Sequence, residues 1–237
     1  MKVLGIETAT AVCSVALLEN IGVSVERSIS LKQMHSEKIM FLIDECLTSA
    51  KSDLRSIDGI AVSIGPGSFT GLRIGLSVAK GLAYSSGLKI VAVPTLEALA
   101  EKVVMQEEFK KVCIVMPLID ARRDEVYCAV YRLEGNGIAE LHPPQSAFLD
   151  ALCSLVPPGE DVIVVGDGAE KLKKYHEKSA FNKSSSYIFP TGPLSECSAL
   201  PVAAIGIKKI ASGISDAVSS LEPLYVKDFF TPARLEK

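Results

Sequence analysis

Apolar residues recur along the first half of the chain in short runs separated by polar or glycine-containing segments. Runs of strand length lie at residues 2–6, 12–18, 23–31, 57–64 and 89–93. In residues 23–31 the apolar side chains fall at alternate positions, broken only by Arg27, which is typical of a half-buried strand. Similar runs in the second half lie at residues 111–119, 126–132 and 161–165. This order predicts a strand-rich chain with helices between the strands.

Residues 34–50 have the apolar pattern of a helix. At about 100° per residue, Met40 and Leu42 fall in an apolar stripe about 160° wide, which exceeds what one core contact needs. Met34 and Phe41 lie together on the opposite, otherwise polar face. Further helices are predicted at 72–84, at 96–104 after a Pro94-Thr95 cap, and after Gly168 through Tyr175.

The helix predicted at 72–84 is apolar on nearly every side. Its polar residues form one narrow stripe, which consists of Arg73, Ser77, Lys80 and Tyr84. A helix that is apolar almost all round is buried on more than one face, whereas a single sheet covers only one. Together with the wide apolar stripe of 34–50, this predicts a two-helix surface that docks a partner. The alternative is that both helices pack only on each other and on the sheet.

The order of elements suggests an internal duplication. In the first half a strand ends at Glu7, and a later strand runs into Gly65-x-Gly67 before a helix. In the second half the corresponding features are Asp120 and Gly166-x-Gly168. Two copies of a strand-rich unit with helices packed on it predict a two-lobed α/β protein. We place the N-terminal lobe at residues 1–108 and the C-terminal lobe at 109–237.

Composition narrows the functional classes. The chain has 237 residues, a formal net charge of −3, 48% hydrophobic residues and no tryptophan, which excludes a disordered chain and argues against a base-stacking module. No apolar run approaches the about 18 residues of a membrane span. Glu7 ends the first run too early for a signal-peptide core. We therefore expect a cytoplasmic protein that does not associate with a membrane.

Metal-binding and redox motifs are not found in the sequence. The six cysteines contain no Cys-x-x-Cys pair, and the three histidines, His35, His142 and His176, are far apart. The cysteines fit small buried side chains of a reducing compartment. We expect no metal site and no cofactor held by this chain alone.

A glycine-rich loop is the strongest local motif. Its residues are Gly65, Pro66, Gly67, Ser68, Thr70 and Gly71. A loop of this kind between a strand and a helix can cradle a phosphate with backbone N–H groups, but neither the Walker nor the dinucleotide spacing is met. The other interpretation is a tight turn in which Ser68 or Thr70 caps the helix.

Candidate catalytic groups are few. Glu7 and Asp120 each end the first strand of a repeat, where a carboxylate can hold magnesium, so magnesium-nucleotide binding stays open. Ala61 stands where a serine-hydrolase elbow has its first glycine, so Ser63 is not predicted to be a nucleophile. A lysine-rich group around the last predicted helix is either a solvated face or a contact for RNA phosphates. We assign no catalytic residue.

Several segments together resemble a known family, the bacterial threonylcarbamoyladenosine biosynthesis proteins TsaB, also called YeaZ. The resembling segments are Leu4 to Thr8, Ser63 to Gly75, Pro94 to Leu99, Asp120 to Tyr127, Gly166 to Ala169 and Pro223 to Tyr225. The segment Gly65 to Arg73 is the most specific. One departure is Glu7, where family members commonly have Asp.

The resemblance implies an actin-like fold of the ASKHA, ribonuclease H-like class. It also implies a non-catalytic scaffold that binds and activates the catalytic subunit TsaD together with TsaE. That complex forms N6-threonylcarbamoyladenosine beside the tRNA anticodon. Contact with tRNA would be indirect, and a nucleotide would bind only at a subunit junction. The alternative is a free-standing ATPase or phosphotransferase of the same fold; a peptidase is disfavoured.

Family members pair through two helices of the N-terminal lobe, either with a second copy or with TsaD. These helices match residues 34–50 and 71–85 here. The resulting partner-interface prediction consists of Met34, Phe41, Leu42, Glu45, Arg73, Leu76, Ser77, Lys80 and Tyr84.

Overall fold

Two five-stranded sheets form the framework of the molecule in a computed structural model. The structure describes residues 1–20, 22, 24–30, 35–106, 109, 114–135, 137–178 and 185–227. The strands of the first sheet are β1 (Lys2–Glu7), β2 (Val12–Glu19), β3 (Ser24–Ser30), β4 (Gly59–Gly65) and β5 (Lys89–Pro94). Those of the second are β6 (Ile114–Asp120), β7 (Glu125–Glu134), β8 (Gly137–Phe148), β9 (Asp161–Val165) and β10 (Ser186–Ile188).

Both sheets have the same topology. The first has the order β3-β2-β1-β4-β5, and the second, read in the same sense, has β8-β7-β6-β9-β10. In each, the first three strands pair antiparallel, the fourth pairs in parallel with the first, and the fifth pairs in parallel with the fourth. Two neighbouring parallel strands need a crossover connection. A helix therefore lies between the fourth and fifth strands of each sheet. The predicted duplication and the two-sheet α/β fold are confirmed.

Five helices lie between and after the strands in the described ranges. They are α1 (His35–Ser49), α2 (Phe69–Ser86), α3 (Thr95–Val104), α4 (Ala169–Lys178) and α5 (Ala199–Ala211). Short 3₁₀ helices occur at Leu54–Ser56, Leu149–Leu155 and Gly192–Ser195. α2 and α4 hold equivalent positions in the two repeats, as do α3 and α5. The helix prediction for 34–50 holds over the described part, but Met34 lies outside the described residues.

The last helix of each repeat packs on the sheet of the other. Leu96 and Val103 of α3 belong to one apolar cluster with Val115 of β6. Conversely, Val202 of α5, the last helix of the second repeat, packs with Val3 of β1 in the first sheet. Each of these helices therefore packs on the sheet of the other repeat, and the lobe boundary at residue 108 stays a prediction.

Small residues allow α5 to lie directly on the first sheet. A Cβ added at Gly5 would clash with the carbonyl oxygen of Ala199, and one at Gly206 would lie 2.5 Å from the Cβ of Ala61. Side chains at these positions would push the helix outward and open voids in a core that is close-packed. Of the helices described, none is long and apolar enough to cross a membrane.

Candidate functional site

Large apolar side chains are exposed on the outer faces of α1 and α2, two helices that contact each other. Met40 is 51% exposed, Phe41 56% and Tyr84 84%. Ser77 is also exposed, and Glu45 is half-buried. We define the α1–α2 surface as these five residues and two more, Arg73 and Lys80. Clustered exposed apolar residues mark interaction sites more often than chance.

Two assignments on these helices need correction. Leu42 and Leu76, predicted to contact a partner, are each 5% exposed and lie in the core of the first lobe. Their side chains face the sheet, so they support the surface but do not present it. Met40, which the sequence places in an apolar stripe wider than one core contact needs, is exposed, because it sits at the edge of a stripe that one sheet covers only in part.

The C-terminal segment contacts the polar stripe of α2. Arg73 donates from Nε to the Tyr225 hydroxyl at 2.9 Å, and its guanidinium lies 3.8 Å from the centre of the Phe69 ring. Lys80 donates from Nζ to the carbonyl oxygens of Ser219 and Leu221, at 3.4 and 3.1 Å. Both cations are therefore held by this chain itself, which the sequence pattern did not predict.

The glycine-rich loop is closed against the turn between β1 and β2. Ser68 donates its backbone N–H to the Ala9 carbonyl at 2.6 Å, and a Cβ at Gly67 or Gly71 would clash with the backbone of that turn. Ser68 is the N-cap of α2 and accepts from the Gly71 N–H at 3.2 Å, which confirms the capping interpretation. These donors are engaged, so they do not cradle a phosphate.

The remaining residues of the glycine-rich loop are Gly65, Pro66 and Thr70. Pro66 is buried, and Thr70 is exposed in the first turn of α2. The Gly65 N–H donates to the Thr95 hydroxyl at 3.1 Å. Thr95 therefore fastens the loop to the start of α3, where the sequence predicted a helix cap, and no side chain caps α3.

The second repeat holds its carboxylate with a lysine. Lys171 of α4 donates to Asp120 Oδ1 at 2.5 Å and to the Arg123 carbonyl at 2.7 Å. The Asp120 N–H donates to Asp167 Oδ1 at 2.9 Å, and burial raises the pKa of the Asp167 carboxyl. An ammonium group thus occupies the position at Asp120 where the magnesium hypothesis needs a cation.

Glu7 differs from Asp120 because its side chain is fully buried. Its Oε1 accepts from the Ala9 N–H at 2.6 Å. Burial raises the pKa of the Glu7 carboxyl to about 7, although the hydrogen bond from the Ala9 N–H opposes the shift. A carboxyl that is half protonated near neutral pH and shielded from solvent is a poor magnesium ligand.

Within the ranges described above, no three or more His, Cys, Asp or Glu side chains are arranged to hold a metal ion. His142 lies on β8 and His176 on α4.

The repeated sheet order, with helices exchanged between the lobes, defines a two-lobed protein of the actin-like, ribonuclease H-like class. The YeaZ structure from Pseudomonas aeruginosa superposes with a TM-score of 0.79 at 26% identity, covering 94% of this chain and 99% of that one. TsaB from Escherichia coli is 29% identical over 96% of this chain and 95% of its own length. TsaB from Bacillus subtilis is 34% identical over 63% of each chain.

A sequence model of the TsaD family, described as tRNA N6-adenosine threonylcarbamoyltransferase, matches residues 27–222. The chain therefore belongs to the TsaD family and, within it, to the TsaB/YeaZ proteins.

Proposed function

We propose that this protein serves tRNA threonylcarbamoyladenosine biosynthesis as a non-catalytic scaffold that binds and activates TsaD, with TsaE as a further partner. The observation that carries the proposal is the likeness to TsaB of Escherichia coli, which spans 95% of that protein's length. The α1–α2 surface supplies the place where such a scaffold meets its partner.

The exposed face of this surface suits a partner of related fold. α1 presents the carboxylates of Glu37 and Asp44 to solvent, whereas α2 carries Arg73 and Lys80, whose side chains are also bonded to the C-terminal segment. Two such helix pairs packed about a two-fold or pseudo-two-fold axis bring the acidic helix of one chain to the basic helix of the other. TsaD is such a partner, and a second copy of this chain fits the same arrangement.

The scaffold role is preferred over the nucleotide-binding alternative because of the groups at the strand ends. Asp120 is paired with Lys171, Glu7 is buried, and the N–H of Ser68 is bonded to Ala9. Calorimetry with Mg-ATP on the isolated protein tests the alternative. We expect no heat of binding, and a saturable heat would favour the ATPase. In the proposed complex a nucleotide binds only at a subunit junction.

Reconstitution tests the function directly. TsaD, TsaE, tRNA, ATP and threonylcarbamoyl-adenylate are mixed with and without this protein, and threonylcarbamoyladenosine is quantified by nucleoside mass spectrometry. We expect product only when the protein is present. Equal product in its absence would overturn the proposal.

A further inference from the structure

A cleft of about 200 Å³ lies where the lobes meet, between strands β2 and β3, the end of α3 and the start of α5. Ser14 and Glu26 line it from the first lobe, and Lys102 lines it from α3. Glu196 and Ser198 line it from the segment that enters α5. The cleft is lined by the carboxylates of Glu26 and Glu196 and by the ammonium group of Lys102. Glu26 and Lys102 are both hydrogen-bonded to other residues of this chain.

Four donors converge on a single carboxylate oxygen of this cleft. Glu26 Oε1 accepts from the hydroxyls of Ser14 and Ser198, both at 2.7 Å. It also accepts from the backbone N–H groups of Ala199 and Leu200, at 2.9 and 3.3 Å. Ser14 is fully buried and Ser198 is 9% exposed. Hydrogen bonds to an ionised acceptor are about twice as strong as neutral ones.

The position of this carboxylate is that of an N-cap, but the residue comes from a distant part of the chain. Ser198 occupies the N-cap position of α5, and its side chain makes no capping bond. It donates to Glu26 instead, so the carboxylate takes the place at the helix N-terminus that free anions take in other proteins. The helix dipole and the N–H groups favour a negative charge there.

The segment before α5 is fixed from its other side as well. Lys102 Nζ donates to the carbonyl oxygens of Pro193 and Glu196, at 2.5 and 2.7 Å. α5 covers the first sheet, whereas Pro193 and Glu196 belong to the connection from the second. A tie at the start of α5 therefore holds the two lobes together.

We propose that Ser14, Ser198 and the N-terminus of α5 form a carboxylate-binding site, which Glu26 fills as an internal ligand that holds the lobes closed. The site accepts small anions only when the Glu26 carboxylate is removed. This inference goes beyond the proposed function and does not depend on it.

Chemical rescue of Glu26→Ala tests the site. Removing the carboxylate leaves the two hydroxyls and the Leu200 N–H without their acceptor, whereas the Ala199 N–H keeps the Ser14 hydroxyl oxygen at 3.1 Å. We therefore expect the melting temperature to fall by roughly 5–10 °C. Formate is small enough to occupy the vacated space. For a Kd of about 0.1 M, about 0.3 M sodium formate raises the melting temperature of the variant by roughly 2–3 °C relative to sodium chloride at equal ionic strength.

Matched variants give each outcome a meaning. Wild type and Glu19→Ala, which removes a half-buried carboxylate paired with Lys2, should show no difference between formate and chloride. Glu26→Gln keeps an acceptor oxygen but loses the charge, so it should melt between wild type and Glu26→Ala and show no formate response. The proposal is overturned if formate does not stabilise Glu26→Ala relative to chloride, or if it stabilises wild type and Glu26→Ala equally. If Glu26→Ala does not fold, a Glu26→Gln variant as stable as wild type overturns it.

Discussion

Replacing Phe41 by aspartate should abolish tight docking on α1 without disturbing the fold. A phenylalanine buries about 150–250 Å² when it is enclosed, and Phe41 is 56% exposed, so about 110 Å² of it is left for a partner to cover. At about 25 cal/mol per Å² this area contributes about 2.8 kcal/mol, or about 100-fold in Kd. The aspartate adds the cost of burying a carboxylate, so 100-fold is the lower limit.

The assay is calorimetric titration of purified TsaD with wild type and with two aspartate variants. Phe148 is 58% exposed on the second lobe, so Phe148→Asp makes the same chemical change at equal exposure away from the α1–α2 surface. We expect Phe148→Asp to bind like wild type and both variants to melt within a few degrees of it. If Phe41→Asp binds TsaD within threefold of wild type, partner docking through α1 is refuted, whatever the reconstitution shows.

Two further predictions concern the glycine loop and the buried carboxyl. In Gly71→Ala the new methyl group clashes with the Thr8 carbonyl, so the free energy of unfolding should fall by about 1–3 kcal/mol. Gly81→Ala on the same helix meets no atom and should raise it by up to about 1 kcal/mol; equal effects in urea titrations would contradict the close packing. The pKa of Glu7 is raised from 4.5 to about 7, so wild-type stability should fall as pH rises across that window, by about 3 kcal/mol in all. Glu7→Gln should remove this pH dependence and be more stable than wild type at pH 8, because the Ser63 hydroxyl can accept from the new amide. Parallel stability profiles for the two proteins would count against assigning the pH dependence to Glu7.

Periodicity predicted the parts of the fold that depend on local pattern. Alternation and short apolar runs located β1, β2 and β4 because strands alternate or are buried on both faces. The repeated carboxylate and glycine positions predicted the duplication. The nearly all-apolar α2 and the polar face carrying Phe41 predicted a surface on these helices, and the exposure of Phe41 agrees with that expectation. Whether a partner binds there stays a prediction.

Features that depend on long-range contacts could not be predicted from the sequence. The apolar run of α5 includes Pro201 and Gly206, which obscure a helix, although proline is tolerated in a first turn. β8 contains Pro143 and Pro144, which read as a loop, yet it is an edge strand, where a missing N–H costs little. The bond between Glu26 and the start of α5 joins positions 172 apart in the chain, so local periodicity carries no trace of it.

The contrast between the cleft and the outer helices indicates where binding free energy remains to be gained. In the cleft, Glu26 accepts from four donors and Lys102 donates to two carbonyl oxygens. A ligand that binds in the cleft must first break these charge-assisted hydrogen bonds. The bonds that it then forms only replace the free energy that was lost. On α1 and α2, the apolar surface of Phe41 and Tyr84 faces water, so covering it gains free energy with no bond lost. Because its own side chains already occupy the cleft, the chain gains more free energy by binding a protein on α1 and α2 than by binding a ligand in that cleft.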